Sequence, residues 1–385
     1  MSDARFLQIR TLHSYAGVLL NRDDTGQAKR LLYGGVQRTR ISSQCLKWHW
    51  RYPNGRDIQG GPKDVREPHA FERLERFVDS KRSRALVKEE IIAPLRDHYP
   101  QNVLEVLESA FDAAVYGKSS SAPTLLFGRK ELDWLRGEAE RLAKEAQEAK
   151  ENAEDVKKRV AEWAKEYQSN IAAFRAETKL PGGLIAALFG RMVTSDPQAN
   201  IEAPIHVAHA FTVHKAETED DFFIAADDLA KAESAGADHM GETELNSGIF
   251  YGYVVVDMPG LIANCRNDRE LASKVVHSLT YLIAEVSPGA KRGSTAPYGR
   301  SVLMLVESGD RQPRSLAGAF RKPIEPDVEK AVVTLDRHLK MFDHVYKTGE
   351  QRMYLTISQS ELSEIQRVSM EDLAAWAENQ VLVSK

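Results

Sequence analysis

The chain has 385 residues, 42% hydrophobic and 28% charged, with a formal net charge of −4. That is enough apolar residue for two or three domains, or one domain with a large insertion, but no run of about 18 apolar residues occurs, which excludes a membrane-spanning helix. Two cysteines, Cys45 and Cys265, exclude a disulfide framework or a CxxC metal site, and the opening Met-Ser-Asp-Ala-Arg-Phe lacks the apolar core of a signal peptide. The expected compartment is cytoplasmic, with no membrane partner.

Phe6–Leu12 alternates apolar and polar residues and predicts a first strand. Asn21-Arg22-Asp23-Asp24 and Gly34-Gly35 are turn signals. Ser42 or Ser43 is an N-cap for a short helix through Cys45, Leu46, Trp48 and Trp50. Residues 53–68, rich in Pro, Gly and charge, mark a boundary. From about 69 to 179 the pattern is helical, most clearly where Val156, Val160, Trp163, Tyr167, Ile171 and Phe174 recur at spacings of three and four. Pro181-Gly182-Gly183 ends that block. Leu184–Met192 is mostly apolar, and 193–216, with alternation at 205–214, predicts a projecting hairpin. Phe250–Val256 and Val302–Glu307 predict strands. Leu271–Val286, Val328–Val345 and Met370–Leu382 predict helices. The expected class is α+β, a sheet domain interrupted by a helical insertion.

The charge is unevenly spread. Residues 1–66 hold twelve Lys or Arg against five acids, a net of +7, and residues 217–244 hold ten acids against Lys231, a net of −9. A localised basic surface suits a phosphate backbone, and a basic end can meet an acidic middle head to tail between copies. The densest signal is Arg38-Thr39-Arg40-Ile41-Ser42-Ser43-Gln44-Cys45-Leu46-Lys47. Two arginines arrive at a helix start whose free amides favour an anion. Ser42, Ser43 and Gln44 add neutral donors. Lys47 and Arg51, four apart, share a helix face. A second basic stretch, Lys291-Arg292-Gly293-Ser294-Thr295, lies in a Pro/Gly-rich loop where backbone amides can approach a ligand.

Other chemistries fit less well. His206, His209 and His214 cluster in sequence, but strand geometry separates them and no Cys, Asp or Glu completes a metal set. Asp23-Asp24 and Asp220-Asp221 are paired acids that could hold Mg²⁺, although adjacent loop acids are usually solvated. Gly117-Lys118-Ser119 lacks the upstream glycine of a phosphate loop, Asp112 standing there, and no GxSxG occurs. The residues favour binding over catalysis, with no cofactor and no metal.

The ordered blocks Asn21-Arg22-Asp23-Asp24 through Gly34-Gly35, Arg38-x-Arg40-Ile41-Ser42-Ser43-Gln44-x-Leu46-Lys47, Phe189-Gly190-Arg191-Met192, Val207-Ala208-His209-Ala210, Asp227-Asp228-Leu229, Ser247-Gly248-Ile249-Phe250-Tyr251 and Val286-x-Pro288-Gly289-Ala290-Lys291 resemble the CasC family, the backbone subunit of the type I-E CRISPR complex Cascade. The chain departs from the family pattern at Val36-Gln37, where basic residues are common, and at Arg51, where lysine is common.

The resemblance implies a hand-like RAMP-type fold: an RRM-like palm at 1–58, 181–192 and 217–385, helical fingers at 59–180 and a thumb hairpin at 193–216. It implies a non-catalytic subunit that polymerises along CRISPR RNA, kinks it at regular intervals and presents it to target DNA in antiviral defence. Its partners would be that RNA, other copies of itself, the DNA reached through the guide, and the large, small and guide-end-capping subunits. Carried over residue by residue, Arg22, Lys29, Arg40, Ser42, Gln44 and Lys47 would hold phosphates and sugars. Arg38, Ser43, Arg51, Lys291 and Arg292 belong to the same RNA-binding set. Arg191 and Met192 would support the kink, Phe222 or Phe223 would contact a base beside it, and Lys157 and Lys158 would meet DNA. The alternative is a metal-dependent RNA-cleaving backbone subunit of the type III kind, with Asp23 or Asp24 as the catalytic acid.

Overall fold

The first strand, β1 (Phe6–Val18), outruns its predicted length because its pairing continues past Leu12, with Tyr15 opposite Gly248 and Val18 opposite Asn246. The chain is described from a computed structural model, at residues 4–53, 67–117, 124–225 and 239–384. After β1 come β2 (Arg30–Tyr33), β3 (Val36–Ile41) and helix α1 (Ser43–Arg51). Gly34 and Gly35 both have positive φ, at 63° and 83°, in the two-residue β2–β3 turn, with Tyr33 opposite Val36. The predicted boundary at 53–68 and the change at 58/59 lie largely outside the described residues.

Residues 74–205 then contain β4 (Ser80–Ser83), α2 (Gln101–Tyr116), β5 (Leu125–Gly128), α3 (Arg129–Glu148), α4 (Ala153–Glu177) and α5 (Gly183–Phe189). They are followed by β6 (Ile205–Val207), β7 (Ala210–Thr212), β8 (Glu217–Ala225), β9 (His239–Asp257), α6 (Met258–Asn264), α7 (Arg269–Glu285), α8 (Arg292–Thr295), β10 (Ser301–Gly309), α9 (Val328–Tyr346), β11 (Gln351–Thr356), β12 (Gln366–Arg367) and α10 (Met370–Val383). The class is α+β. Among the described residues no helix is long and apolar enough to cross a membrane.

The chain divides into two units. One comprises Met1–Arg73, His206–Pro259 and Ser273–Lys385. Its sheet runs β12-β11-β10-β1-β9-β7-β3-β2, antiparallel except for β11–β12, with β8 added to β9. β1 lies between β9 and β10, Ile9 opposite both Val254 and Val306. The predicted alternation of β1 is present, but its polar positions are also covered. Arg10 and Glu307 are fully buried and paired, and Gln8 Oε1 accepts from Tyr253 Oη at 2.7 Å and from the Arg314 amide at 3.0 Å.

Residues 193–216 do not form the expected projecting hairpin. They contain a turn at Pro197–Ala199, Ile201 bridged back to Arg191, and β7 bonded between β3 and β9. The physical reason is burial: Phe211 and Val213 fill the core of the sheet unit. The strand pair that leaves the sheet is β8 with the first half of β9, from Glu217 opposite Ser247 to Ala225 opposite His239.

The other unit comprises Leu74–Ile205 and Gly260–Ala272. The helical reading of 69–179 missed the short β4–β5 pair, Ser80 opposite Gly128. The predicted stripe packs as read: Val156, Val160, Trp163, Tyr167 and Ile171 are buried on α4, and Trp163 stacks on Phe111 at 4.1 Å. Phe174 is only half-buried, against Trp134, and the buried place next to it goes to Arg175. Arg175 Nε donates to Glu131 Oε1 at 2.6 Å and its Nη1 pairs with Asp196, so a charged side chain is accepted in this core because two carboxylates balance it.

Candidate nucleic-acid interface

Helix α1 begins where β3 ends. Ser42 is its N-cap, extended in backbone, with Oγ accepting from the Cys45 amide at 3.2 Å. The Ser42 amide donates to Asn21 Oδ1 at 2.9 Å, and the Ser43 amide donates to His209 Nδ1 at 3.1 Å. The protein's own side chains therefore take three of the amides at the helix start. This corrects the expectation that those amides stand open to a phosphate. What remains for an anion is side-chain charge.

That charge gathers around His209. β3 and β7 pair with Ile41 opposite Ala210, which sets His209, one residue before β7, beside the start of α1. Its ring is exposed. Arg40 Nη1 lies 3.4 Å from His209 Nδ1, and Arg40 Nε donates to the Arg30 carbonyl at 3.2 Å. Partial burial, then the charges of Arg40, Lys29 and Lys47, hold the His209 pKa below its ordinary value. Two donors point at Nδ1, so the neutral ring carries its proton on Nε2. Gln44 is exposed beside this cluster and accepts from the Ser43 hydroxyl at 3.4 Å.

The far end of α1 meets the second basic stretch. His49 is buried, and its Nε2 accepts from the Gly289 amide at 3.4 Å. Burial foremost, with Arg292 adding to it, lowers the pKa of His49. Arg51 lies over the Tyr52 ring at 5.2 Å. Lys291 bonds Thr243 Oγ1 on β9, and its Nζ sits 4.8 Å from the Phe223 ring centroid on β8. Phe222 is 60% exposed and Phe223 39%. As neighbours on one strand they face opposite sides of the β8–β9 ribbon. A Cβ on Gly241 would meet the Phe223 ring at 2.3 Å, so a glycine there admits that aromatic. Two basic groups thus flank α1, Lys29, Arg40 and Lys47 around His209 and Lys291 with Arg292 near His49, with the exposed Phe223 ring beside Lys291.

A family model described as CT1975-like protein matches residues 7–379. The chain belongs to the CT1975-like family of Cas proteins. Two solved chains share its fold. One, from a CRISPR RNA-guided surveillance complex described as pre-nicking, aligns with TM-score 0.75 and 24% identity over 97% of this chain and 100% of that one. Another, from a CRISPR RNA-guided surveillance complex, aligns with TM-score 0.58 and 20% identity over 97% and 99%. No curated protein sequence matches.

Not every predicted residue of this CT1975-like chain faces outward. Arg38 is fully buried, donating from Nε to the Tyr33 carbonyl at 3.2 Å, from Nη1 to that of Thr212 at 3.1 Å and from Nη2 to that of Phe320 at 2.9 Å. Its donors are spent on backbone, so it holds the sheet and does not face outward. Arg191 is buried in the other unit, where Nε donates to the Ala199 carbonyl at 2.8 Å and Nη1 to Glu131 Oε2 at 2.6 Å. Met192 beside it is 75% exposed. Lys157 and Lys158 are exposed on α4, with Glu154 at 2.9 Å and Asp155 at 3.7 Å.

Arg22 is exposed in a bridge to Ala28, around a turn that Asp23 organises. Asp23 Oδ1 accepts from Thr25 Oγ1 at 2.7 Å and from the amides of Thr25 and Gln27 at 3.0 Å, and these bonds lower its pKa. Asp24 is exposed next to it. His214 is buried, its Nε2 accepting from the Ile249 amide at 3.1 Å. Among the described residues no group of three His, Cys, Asp or Glu could hold a metal.

The acidic middle also has an internal partner. Glu244 on β9 pairs with Arg30 and accepts from the Ala28 amide at 3.1 Å. From sequence His209 has no binding role: it stands there as a candidate metal ligand and inside the block Val207-Ala208-His209-Ala210, and the β3–β7 register that brings it to α1 has no local signature.

Proposed function

We propose that this chain is a non-catalytic guide-RNA-binding backbone subunit of a CRISPR surveillance complex, of the CasC type found in type I-E Cascade. The observation that carries the reading is the convergence of Lys29, Arg40 and Lys47 on exposed His209 at the start of α1. Three cations from separate elements, with neutral Gln44 alongside, make a surface that reads phosphate and leaves bases free. A guide carrier needs that, because base pairing supplies the specificity.

In this reading the sheet unit is the RRM-like palm, residues 74–205 supply the fingers, and the β8–β9 ribbon plays the thumb. Phe222 or Phe223 stacks on a base beside the kink, worth about 1–3 kcal/mol and tolerant of sequence. Met192 supports the kink, and Lys157 and Lys158 face the DNA. Several copies follow one RNA, together with the other subunits of the complex.

The test is native mass spectrometry of the chain with CRISPR RNAs of increasing length. Mass should rise in whole-protomer steps, and Arg40→Glu with Lys47→Glu should collapse the ladder. One protomer per RNA at every length would overturn the backbone reading. Cleavage of complementary RNA that needs Mg²⁺ and is lost in Asp23→Ala or Asp24→Ala would overturn the non-catalytic one.

A further inference from the structure

We infer that His209 is itself a guide contact, donating its Nε2–H as a neutral hydrogen-bond donor to a phosphate oxygen of the RNA held at α1. The inference rests on the RNA-binding reading above and deepens it by giving the histidine a role distinct from its lysine and arginine neighbours.

The geometry assigns the two ring nitrogens different tasks. Nδ1 faces the protein, accepting from the Ser43 amide at 3.1 Å with Arg40 Nη1 at 3.4 Å. The ring is nevertheless exposed, so its other edge, with Nε2–H, is the one open to a ligand. The groups acting on the ring come from three places: Arg40 on β3, Lys29 just before β2 and Lys47 on α1. All three are cations. With the ring's partial burial acting first, they disfavour a second proton on it, and they attract an anion, so the contact proposed is made by the neutral ring.

The experiment separates the two nitrogens. His209→Asn keeps an acceptor near the Nδ1 position and loses the Nε2 donor. His209→Gln puts an amide donor near the Nε2 position and loses the acceptor. Binding of a fluorescein-labelled oligouridine of about eight nucleotides is measured by anisotropy across a salt series, with Tm measured for each protein. His209→Asn should keep the wild-type Tm and bind about tenfold more weakly. Its salt slope should match wild type, because a neutral donor releases no counterion. His209→Gln should keep most of the affinity at a lower Tm. If His209→Asn binds like wild type, the histidine is only a cap and the inference is wrong. If the slope falls by about 0.7, as for a lost cation, the ring is charged in the complex and the neutral-donor assignment is overturned. Wild-type protein that binds no RNA would sink the functional reading along with it.

Discussion

Arg38 and Arg40 stand two apart on β3, and the structure gives them opposite duties. Replacing Arg38 with Met keeps the length and apolar stem of the side chain and removes its donors. Three backbone carbonyls, of Tyr33, Thr212 and Phe320, then lose partners at 3.2, 3.1 and 2.9 Å in a fully buried place. A hydrogen bond with a charged partner contributes about 1.5–3 kcal/mol, and the longer contacts here belong at the low end. Three such bonds at the low end sum to about 4–5 kcal/mol. Urea unfolding of Arg38→Met should show that drop in the sheet unit. Oligouridine binding, measured well below the unfolding midpoint, should stay within about twofold of wild type, since no RNA-facing group has been removed. Arg40→Gln should do the reverse, leaving the midpoint in place and weakening RNA binding with a shallower salt slope. Arg38→Met that unfolds like wild type yet fails to bind RNA would refute the reasoning.

Gly34→Ala should destabilise the sheet unit by about 2–3 kcal/mol, because a Cβ there would lie 1.6 Å from the Arg321 carbonyl oxygen at a φ of +63°. Gly35→Ala, with nothing within 4 Å of its Cβ, should cost only about 1 kcal/mol, and urea midpoints would rank the pair. Glu131→Gln should open the other unit by about 3–5 kcal/mol, since one buried carboxylate serves Arg175, Arg191 and the Gly128 amide. Hydrogen exchange in α3 and α4 would report it. Glu329 at the start of α9 accepts from Ser358 Oγ and from the amides of Gln359 and Ser360, which pulls its pKa down to about 2. Its folded pKa is depressed, so its tie is complete above the ordinary carboxylate value near 4.5 and is lost as pH falls toward 2. Exchange protection of the Ser360 amide should fall across that window and stay flat in Glu329→Gln.

The elements were legible where a local period reports them. The spacing of three and four in α4 is the packing pattern itself, and Ser42 or Ser43 ahead of Leu46 and Trp50 marks a capped, half-buried helix, with the structure choosing Ser42. Alternation fails at the next step. At 205–214 it signals extended chain correctly but cannot say whether the strand is an arm or lies within the sheet, and Phe211 shows the latter. In β1 it marks Gln8 and Arg10 as polar yet not as buried, because the partners that let them be buried, Glu307 and Tyr253, come from β10 and β9.

The arginines show the same limit at the site. Arg38 and Arg40 share a face of β3 by their spacing. What separates them is cover: the Phe320 turn closes over Arg38, while Arg40 lies at the strand's end, where α1 begins and His209 arrives from β7. A basic residue in a sequence announces only that its charge must be matched. Backbone carbonyls match it at Arg38 and a carboxylate does so at Arg191. Around His209 the charges acting on the ring, from Arg40, Lys29 and Lys47, are all cations, and the proposed phosphate is the anion that would answer them.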